Sequence, residues 1–412
     1  MQKHLTDNIP FINIKTAAMR FFLSSILSDD LFLLSLHLPM LFLLLIPALY
    51  VFLTFRWMLG FNTIANKKQP VQPHQINNFF SIVIAVRNEQ ANMERLLHSL
   101  TELNYKKADF EIIIVDDHST DGTATLATQL LNIYNLNGTV ISLQNSKGKK
   151  SAIAEGIKIS KAEVIITTDA DCVFNPDWLK GINNEFNLSK PDMLILPVVI
   201  QGKGVLSKMQ QTESLGLAAL TFGSLAIGKP LMCNGANLVF KKETYLQINN
   251  AEMRSDIASG DDTFFMLSLF AKNNQSIHAL ASDKVTVMSD AQSGLSELIN
   301  QRVRWASKLK YYKQQCIIIT GLFLTMFSIL QYAAIPGVIF LPLNQLWLVS
   351  AITIAVKWIC DFIFIQNAKS KLNQKFYPGA FVLMQLLFPI YTFVVGVLSL
   401  SDHYQWKGRS YQ

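Results

Sequence analysis

Residues 79–89 read FFSIVIAVRNE and residues 111–123 read EIIIVDDHSTDGT. Each opens as a short apolar run rich in β-branched side chains and breaks off into charged and turn-forming residues, the pattern of a strand buried on both faces. Between them Met93, Leu96, Leu97, Leu100 and Leu103 recur at helical spacing. The alternation continues outward. A helix is expected over 123–134 with Leu126, Leu130 and Ile133 on one face, a strand over 139–143, a helix over 149–160, and a strand over 164–168 that ends at Asp169-Ala170-Asp171. Strand and helix in turn predict βαβ units, hence an α/β chain with a doubly wound, mostly parallel sheet. Ligands of such sheets bind beyond the carboxyl ends of the strands, near a topological switch point. Those ends carry Arg87-Asn88-Glu89, Asp116-Asp117, the loop NSKGK at 145–149, and Asp169-Ala170-Asp171.

Composition shows what surrounds this unit. Half of the 412 residues are hydrophobic and 16% are charged, against about a quarter charged in an ordinary soluble protein; mean hydropathy is +0.27. Disorder is excluded, because it needs the opposite balance. The apolar excess lies at the two ends: residues 31–55, then 316–341, 345–365 and 379–400, each long enough to cross a bilayer. Pro336 and Pro389 fall inside the second and fourth of these, where a kink or an incomplete crossing is expected. The resulting organisation is a leader over 1–30 (residues 11–27 amphipathic, suited to a membrane surface or else a poorly ordered leader), a span over 31–55, a linker over 56–78, a soluble domain over 79–315, about three transmembrane or re-entrant segments over 316–400, and a basic tail over 401–412. Asp29 and Asp30 interrupt the first apolar run and argue against a cleavable signal.

The net charge is +7. Arg56, Lys67 and Lys68, then Lys308, Lys310 and Lys313, then Lys369, Lys371 and Lys375 flank the domain-side ends of the apolar segments, which by the positive-inside rule puts the domain in the cytoplasm. Lys407 and Arg409 conflict with three full C-terminal crossings, unless one Pro-containing segment turns back. This distribution explains the positive charge without nucleic acid. Cys172, Cys233, Cys316 and Cys360 show neither disulfide-framework nor metal-ligand spacing.

Several rim residues have chemical potential. Asp169 and Asp171 share a side if the strand runs on through them, and two hard carboxylates suit Mg²⁺ or Mn²⁺; an Asx turn uses the same residues. Asp116-Asp117 suits hydrogen bonding to a nucleobase or ribose, and equally a turn and helix cap. Lys147 and Lys149 flank Gly148 at a helix N-terminus that attracts phosphate, in a loop that is not a Walker A sequence. Further on come Asn234-Gly235-Ala236-Asn237, Ser259-Gly260-Asp261-Asp262 and Gln301-Arg302-Val303-Arg304-Trp305. The last suits a membrane-proximal helix whose arginines meet lipid headgroups. Residues 203–227, apolar with many small side chains, suit an interfacial helix or plain core packing.

Taken in order, SIVIAVRNE, DDHSTDGT, NSKGK, DAD, CNGANLVF, SGDD and QRVRW resemble a membrane-bound glycosyltransferase of family 2, over residues 79–305 and with flanking spans that fit. The chain is similar to the ceramide glucosyltransferase-like and processive polysaccharide synthase-like subgroup, the latter including synthases of cellulose and poly-N-acetylglucosamine; the tail WKGRSY at 406–411 also resembles lipid-glycosylating members. The resemblance implies a GT-A fold, an inverting mechanism and a nucleotide-sugar donor, UDP- or GDP-linked. It implies donor binding by Ala85, Arg87, Asn88, Glu89, Asp116, Asp117, Lys149 and Asp169, and a Mg²⁺ or Mn²⁺ on Asp169 and Asp171. Asp262 would be the catalytic base, with Arg304 stabilising the leaving diphosphate and Asp261, Gln301, Arg302 and Trp305 serving the acceptor and diphosphate end. Burial would raise the pKa of Asp262 and improve its basicity. The chain departs from the family pattern in Asp261, where Glu is commoner, and in Gly260, where Thr often stands.

The expected activity is transfer of a sugar to a lipid acceptor by an integral protein of a bacterial inner membrane, its catalytic domain cytoplasmic. A processive polysaccharide synthase with a glycan acceptor shares every motif. A catalytically inactive membrane scaffold is disfavoured by retention of Asp169, Asp171 and Asp262.

Overall fold

The computed structural model describes residues 44–67, 77–248, 252–254, 257, 260–340, 345–401, 404–406 and 409–411. The leader, residues 31–43 of the expected first span, Lys68, Ser259 and Lys407 lie outside these residues. The elements are α1 (Leu44–Ala65), β1 (Phe80–Val86), α2 (Gln90–Thr101), β2 (Phe110–Asp116), α3 (Thr123–Ile133), β3 (Gly138–Ser142), α4 (Lys149–Ile159), β4 (Val164–Asp169), α5 (Trp178–Ser189), β5 (Met193–Ile195), β6 (Val198–Gln201), α6 (Val205–Ala226), β7 (Leu238–Lys241), α7 (Lys242–Leu246), α8 (Asp261–Lys272), β8 (Ile277–Ala279), β9 (Val287–Asp290), α9 (Leu295–Ala306), α10 (Gln315–Phe340), α11 (Gln345–Lys371), α12 (Pro378–Leu398), β10 (Tyr404–Trp406) and β11 (Arg409–Tyr411).

The main sheet runs β3-β2-β1-β4-β7-β5-β8. β1 pairs in parallel with β2 on one side and with β4 on the other, so the order reverses between β1 and β4. A crevice must open at the carboxyl ends of these two strands, because the connections leave in opposite directions. Phe80, Ile82, Ile84 and Val86 of β1 point into one core and Val83 into the other, the period-2 alternation that needs cover on both faces. One departure from a parallel sheet occurs: β7 runs antiparallel to both β4 and β5, while β5 and β8 are again parallel. A second, two-stranded sheet pairs β6 with β9. A bridge between Val173 and Met288 brings β9 against the loop after β4.

Four helices among the described residues are long and apolar enough to cross a membrane: Leu44–Ala65, Gln315–Tyr332, Trp347–Lys371 and Pro378–Leu398. The first continues through Ala65, so residues expected to form a linker from 56 extend the apolar helix instead. With no acid or proline between Phe55 and Ala65, nothing stops it. α6 packs on α11 and α12 and joins the membrane helices to the sheet domain. It lies tightly on α1: a Cβ at Gly60 would fall 2.6 Å from the Gly223 carbonyl oxygen, and one at Gly223 would overlap the Trp57 backbone. α12 contains Pro389 and packs on α6, α9 and α10, and the β10–β11 hairpin that follows packs beside α9.

Candidate active site

β1 and β4 end side by side, with Ala85 opposite Asp169 in the register. A cleft of ≈ 610 Å³ opens there, walled by Ala85, Glu89, Lys149, Asp169, Asp171 and, from α9, Gln301 and Arg304. Asp169 is the last residue of β4 and Asp171 lies one turn residue beyond it. Lys149, first residue of α4, places its Nζ 2.5 Å from Asp169 Oδ1. Burial opposes its charge, but Asp169, Asp261 and Asp262 outweigh burial and hold the ammonium well protonated. Asp171 accepts a hydrogen bond from Ser289 Oγ at 2.8 Å. Its own burial, with repulsion from Asp169, Glu89 and Asp290, pushes its pKa up to about 6. Two carboxylates crowded at a strand end, Asp169 paired with Lys149 and Asp171, among the described residues, with no cation on its side chain to offset the repulsion, suit a divalent cation with hard oxygen ligands. Among the described residues no group of three or more His, Cys, Asp or Glu side chains is arranged to hold a metal ion by itself, so such an ion would take Asp169 and Asp171 from the protein and the rest of its ligands from elsewhere.

Arg87, Asn88, Asp116 and Asp117 do not line this cleft. Arg87 donates to the carbonyls of Asp117 and His118 at 2.7 and 2.8 Å. Asn88, in the left-handed region (φ 51), accepts from the Thr120 amide at 2.8 Å. Asp116 is 5% exposed and accepts from the Ser119 amide, and Asp117 is 1% exposed and accepts from the Gly148 amide at 3.1 Å. These groups knit the loops after β1 and β2 to the start of α4, which sets the position of Lys149.

Asp261 and Asp262 open α8 immediately after Gly260, which adopts φ 91. That left-handed conformation suits glycine, and a Cβ there would lie 2.9 Å from Lys308 Cδ. Asp262 Oδ2 accepts from the Gly235 amide at 2.9 Å and Oδ1 from the Thr263 amide at 2.7 Å. Burial works to raise its pKa, but Lys308, these amides and Lys149 prevail and hold it below the usual carboxylate range. The expected upward shift belongs instead to Asp261, raised by burial and by the charge of Asp262 beside it. The physical reason is the Lys308 ammonium, joined by the Thr263 amide at the start of α8, the charge of Lys149 and the Gly235 amide, which together stabilise the Asp262 carboxylate. Asp262 is therefore an ionised carboxylate at neutral pH.

Asp262 borders a second cavity of ≈ 150 Å³, together with Asn234, Leu217, Phe222, Trp305 and Lys308. α9 lines both spaces, and its helical spacing divides the QRVRW sequence between them. Gln301 and Arg304 face the cleft, while Arg302 and Trp305 face the second cavity. Arg302 is 6% exposed, stacks its guanidinium 4.2 Å from the Trp305 ring, and pairs with Glu213 of α6 at 2.5 Å. It does not reach into the cleft, and the pairing accounts for it without lipid headgroups. In the NGAN segment, Asn237 is structural: it donates to the carbonyls of Pro197 and Val285 and accepts from Trp178 Nε1.

Sequence reasoning missed Lys308, Glu213 and Ser289. Lys308 lies one helical turn beyond Arg304, a spacing that could have drawn attention to it among lysines read only as topology signals. Glu213 and Ser289 carry no sequence signal; distant elements bring them in.

The parallel sheet with its switch-point cleft, acidic strand end and joined membrane helices is the architecture of a GT-A glycosyltransferase. Two family models match, Glycosyl transferase family 2 over residues 81–245 and Glycosyl transferase family group 2 over residues 164–397, the second spanning more than half of the chain. The chain belongs to glycosyltransferase family 2. It is 31% identical over 102 residues to glycosyltransferase AglE of Haloferax volcanii (25% of this chain, 33% of the relative) and 33% identical over 113 residues to a beta-monoglucosyldiacylglycerol synthase of Nostoc sp. (27% and 24%). It is 23% identical over 212 residues to the poly(ribitol-phosphate) beta-N-acetylglucosaminyltransferase TarS of Staphylococcus aureus (51% and 34%). The chain thus spans about a third or less of these relatives' own lengths. Among solved structures, the mannosyltransferase PcManGT of Pyrobaculum calidifontis superposes with TM-score 0.53 at 16% identity, covering 87% of this chain and 96% of that one; the likeness establishes the fold.

Proposed function

We propose that this protein is an inverting, metal-dependent glycosyltransferase that moves a sugar from a UDP- or GDP-linked donor to a lipid acceptor at a bacterial inner membrane, with its sheet domain in the cytoplasm. The observation that carries this reading is the position of Asp262. Its ionised carboxylate borders the cavity against α6, while Asp169 and Asp171 edge the cleft that shares α9 as a wall with that cavity, and the charge of Lys149 acts on both sets of acids. The solved mannosyltransferase of the same fold holds GDP-mannose and Mn²⁺, and the Nostoc relative is named for a glycolipid product; both fit the reading.

Asp169 and Asp171 would hold the cation, which when bound neutralises diphosphate charge and favours departure of the nucleotide. Arg304 and Lys149 would meet the rest of that charge. The acceptor hydroxyl, delivered beside Asp262, would lose its proton to that carboxylate as its oxygen attacks the anomeric carbon opposite the leaving group, which inverts the centre. The loops holding Arg87, Asn88, Asp116 and Asp117 would shape the nucleoside end of the cleft.

On topology, the hairpin beside α9 supports two full C-terminal crossings, α10 and α11, with α12, an unbroken helix through Pro389, returning its end to the domain side without a full crossing. The tail then lies on the domain side, in accord with the basic charge of Lys407 and Arg409.

Purified protein in lipid nanodiscs, given a panel of UDP- and GDP-sugars with and without Mn²⁺, tests the function. Metal-dependent glycosylation of a lipid, detected by mass spectrometry, is expected. A product ladder of many sugars would replace the reading with processive synthesis, and no nucleotide release from any donor would remove it.

A further inference from the structure

A third cavity, of ≈ 160 Å³, lies within the membrane helices between α6, α1, α10, α11 and α12. Trp57, Leu220, Leu324, Phe364, Met384 and Phe388 supply apolar wall. It adjoins the cavity that contains Asp262. Leu217 lines both, and the partition between them is completed by an ion pair of which Arg302 lines the catalytic cavity and Glu213 the membrane one. On α6, Ser214, Leu217, Ala218 and Thr221 border one space and Glu213, Gly216, Leu217 and Leu220 the other, two neighbouring faces of one helix meeting at Leu217.

The charges along this route are compensated in pairs. Arg302 is bound to Glu213, Lys357 to Asp361 at 2.5 Å, and Lys308 faces Asp262. Asp361 also accepts from Tyr50 and from Gln385. A phosphate entering here would have to break one of these pairs to find a cation, at the cost of leaving a carboxylate buried and unpaired. An uncharged head with a hydroxyl needs only polar partners, and Asn234, Ser214 and Thr221 border the catalytic cavity.

We infer that the two cavities are the ends of one acceptor site for a neutral lipid alcohol: the reacting hydroxyl sits at Asp262 and a hydrocarbon chain passes Leu217 into the cavity between the membrane helices. This rests on the reading of Asp262 as the base. Gly216 gives direct access to the test, because it lines only the membrane cavity and a Cβ added there meets nothing closer than Ile365 Cγ1 at 3.8 Å. Gly216→Leu and, separately, Leu220→Trp fill that cavity from two positions.

The experiment presents dioleoylglycerol, dihexanoylglycerol or a polyprenyl phosphate to the protein in phosphatidylcholine nanodiscs, with a panel of UDP- and GDP-hexoses and Mn²⁺. Dioleoylglycerol should be glycosylated and the polyprenyl phosphate not. Each variant should lower the ratio of kcat/KM for the long-chain over the short-chain glycerolipid at least tenfold. An unchanged ratio in both variants, or transfer to the phosphate lipid in preference, overturns the inference. Nucleotide release without lipid glycosylation overturns it and leaves the transferase reading standing, whereas no release from any donor overturns both.

Discussion

Lys149 Nζ lies 2.5 Å from Asp169 Oδ1, and the same ammonium feels the charges of Asp261 and Asp262. A single side chain at the start of α4 thus links the acidic strand end in the cleft with the acid pair at the start of α8. Removing its charge with Lys149→Met should leave both sets of carboxylates less compensated. We expect transfer to fall at least tenfold, with the Asp261 pKa moving further up because Lys149 is one of the cations holding it down. The check is the pH profile of kcat, whose acidic limb should move to higher pH in the variant; an unmoved limb would show that Lys149 does not couple to the pair.

Asp171→Asn should reduce transfer at least a hundredfold and weaken Mn²⁺ binding measured by calorimetry. The stability effect should have the opposite sign. A carboxyl whose folded pKa is about 6, above the roughly 3.9 of an unfolded chain, binds its proton more tightly when folded. Its contribution therefore favours the fold at pH below about 4 and is lost as pH rises through 6. In chelator at pH 7.5 the Asn variant should melt higher than the parent, by an amount on the order of 1–2 kcal/mol, and the gap should close towards pH 4. Equal melting of parent and variant across that range would show that the carboxylate is not strained.

Asp262→Asn should keep donor affinity while transfer drops by roughly two to four orders of magnitude, the range of lost general-base catalysis. Asp261→Asn should cost less. Because Lys308, the Thr263 amide, Lys149 and the Gly235 amide hold Asp262 below its ordinary pKa, the acidic limb of the parent's rate should come from groups other than the base, and raising Mn²⁺ should push that limb to lower pH. Comparable loss of donor binding and turnover in Asp262→Asn would recast it as a donor-site residue.

Gly223→Ala should destabilise the protein in detergent, because its methyl group would overlap the Trp57 backbone and force α1 from α6. Overpacking of this kind costs about 1–3 kcal/mol. Gly216→Ala, seven residues closer to the start of the same helix with 3.8 Å of clearance, should be within about 0.5 kcal/mol of the parent or slightly more stable, since it removes a helical glycine. Thermal unfolding of the two variants side by side gives the comparison, and equal melting would contradict the close helix contact.

Ser401→Cys should be labelled from the same side of the membrane as Lys106→Cys in the exposed loop before β2, both being protected from an impermeant maleimide in intact cells and reactive after permeabilisation. Labelling of Ser401→Cys alone in intact cells would mean that α12 crosses completely.

The central half of the sheet was legible in the sequence because its information is local. FFSIVIAV and EIIIV can be buried on both faces only as inner parallel strands, and the acidic and glycine-rich breaks after them mark where the strands must stop. Asp169, Asp171 and Lys149 were found for the same reason, since each sits where a strand ends or a helix begins. The four apolar helices were equally a matter of composition. Tertiary structure decided the rest. Whether β7 runs with or against β4 depends on the path of α5, β5 and α6 between them, and no residue in LVFK specifies direction. The motif QRVRW did not reveal that its residues divide between two spaces, because that depends on which elements pack around α9, with Arg302 meeting Glu213 of α6 while Gln301 and Arg304 line the cleft. The pKa of Asp262 went down rather than up because Lys308 and the Gly235 amide arrive from distant parts of the chain. The adjoining cavities along α6 exist only through packing of helices far apart in sequence. Local pattern fixes which segments are strands, helices and spans; side-chain electrostatics and cavities depend on which of those segments meet.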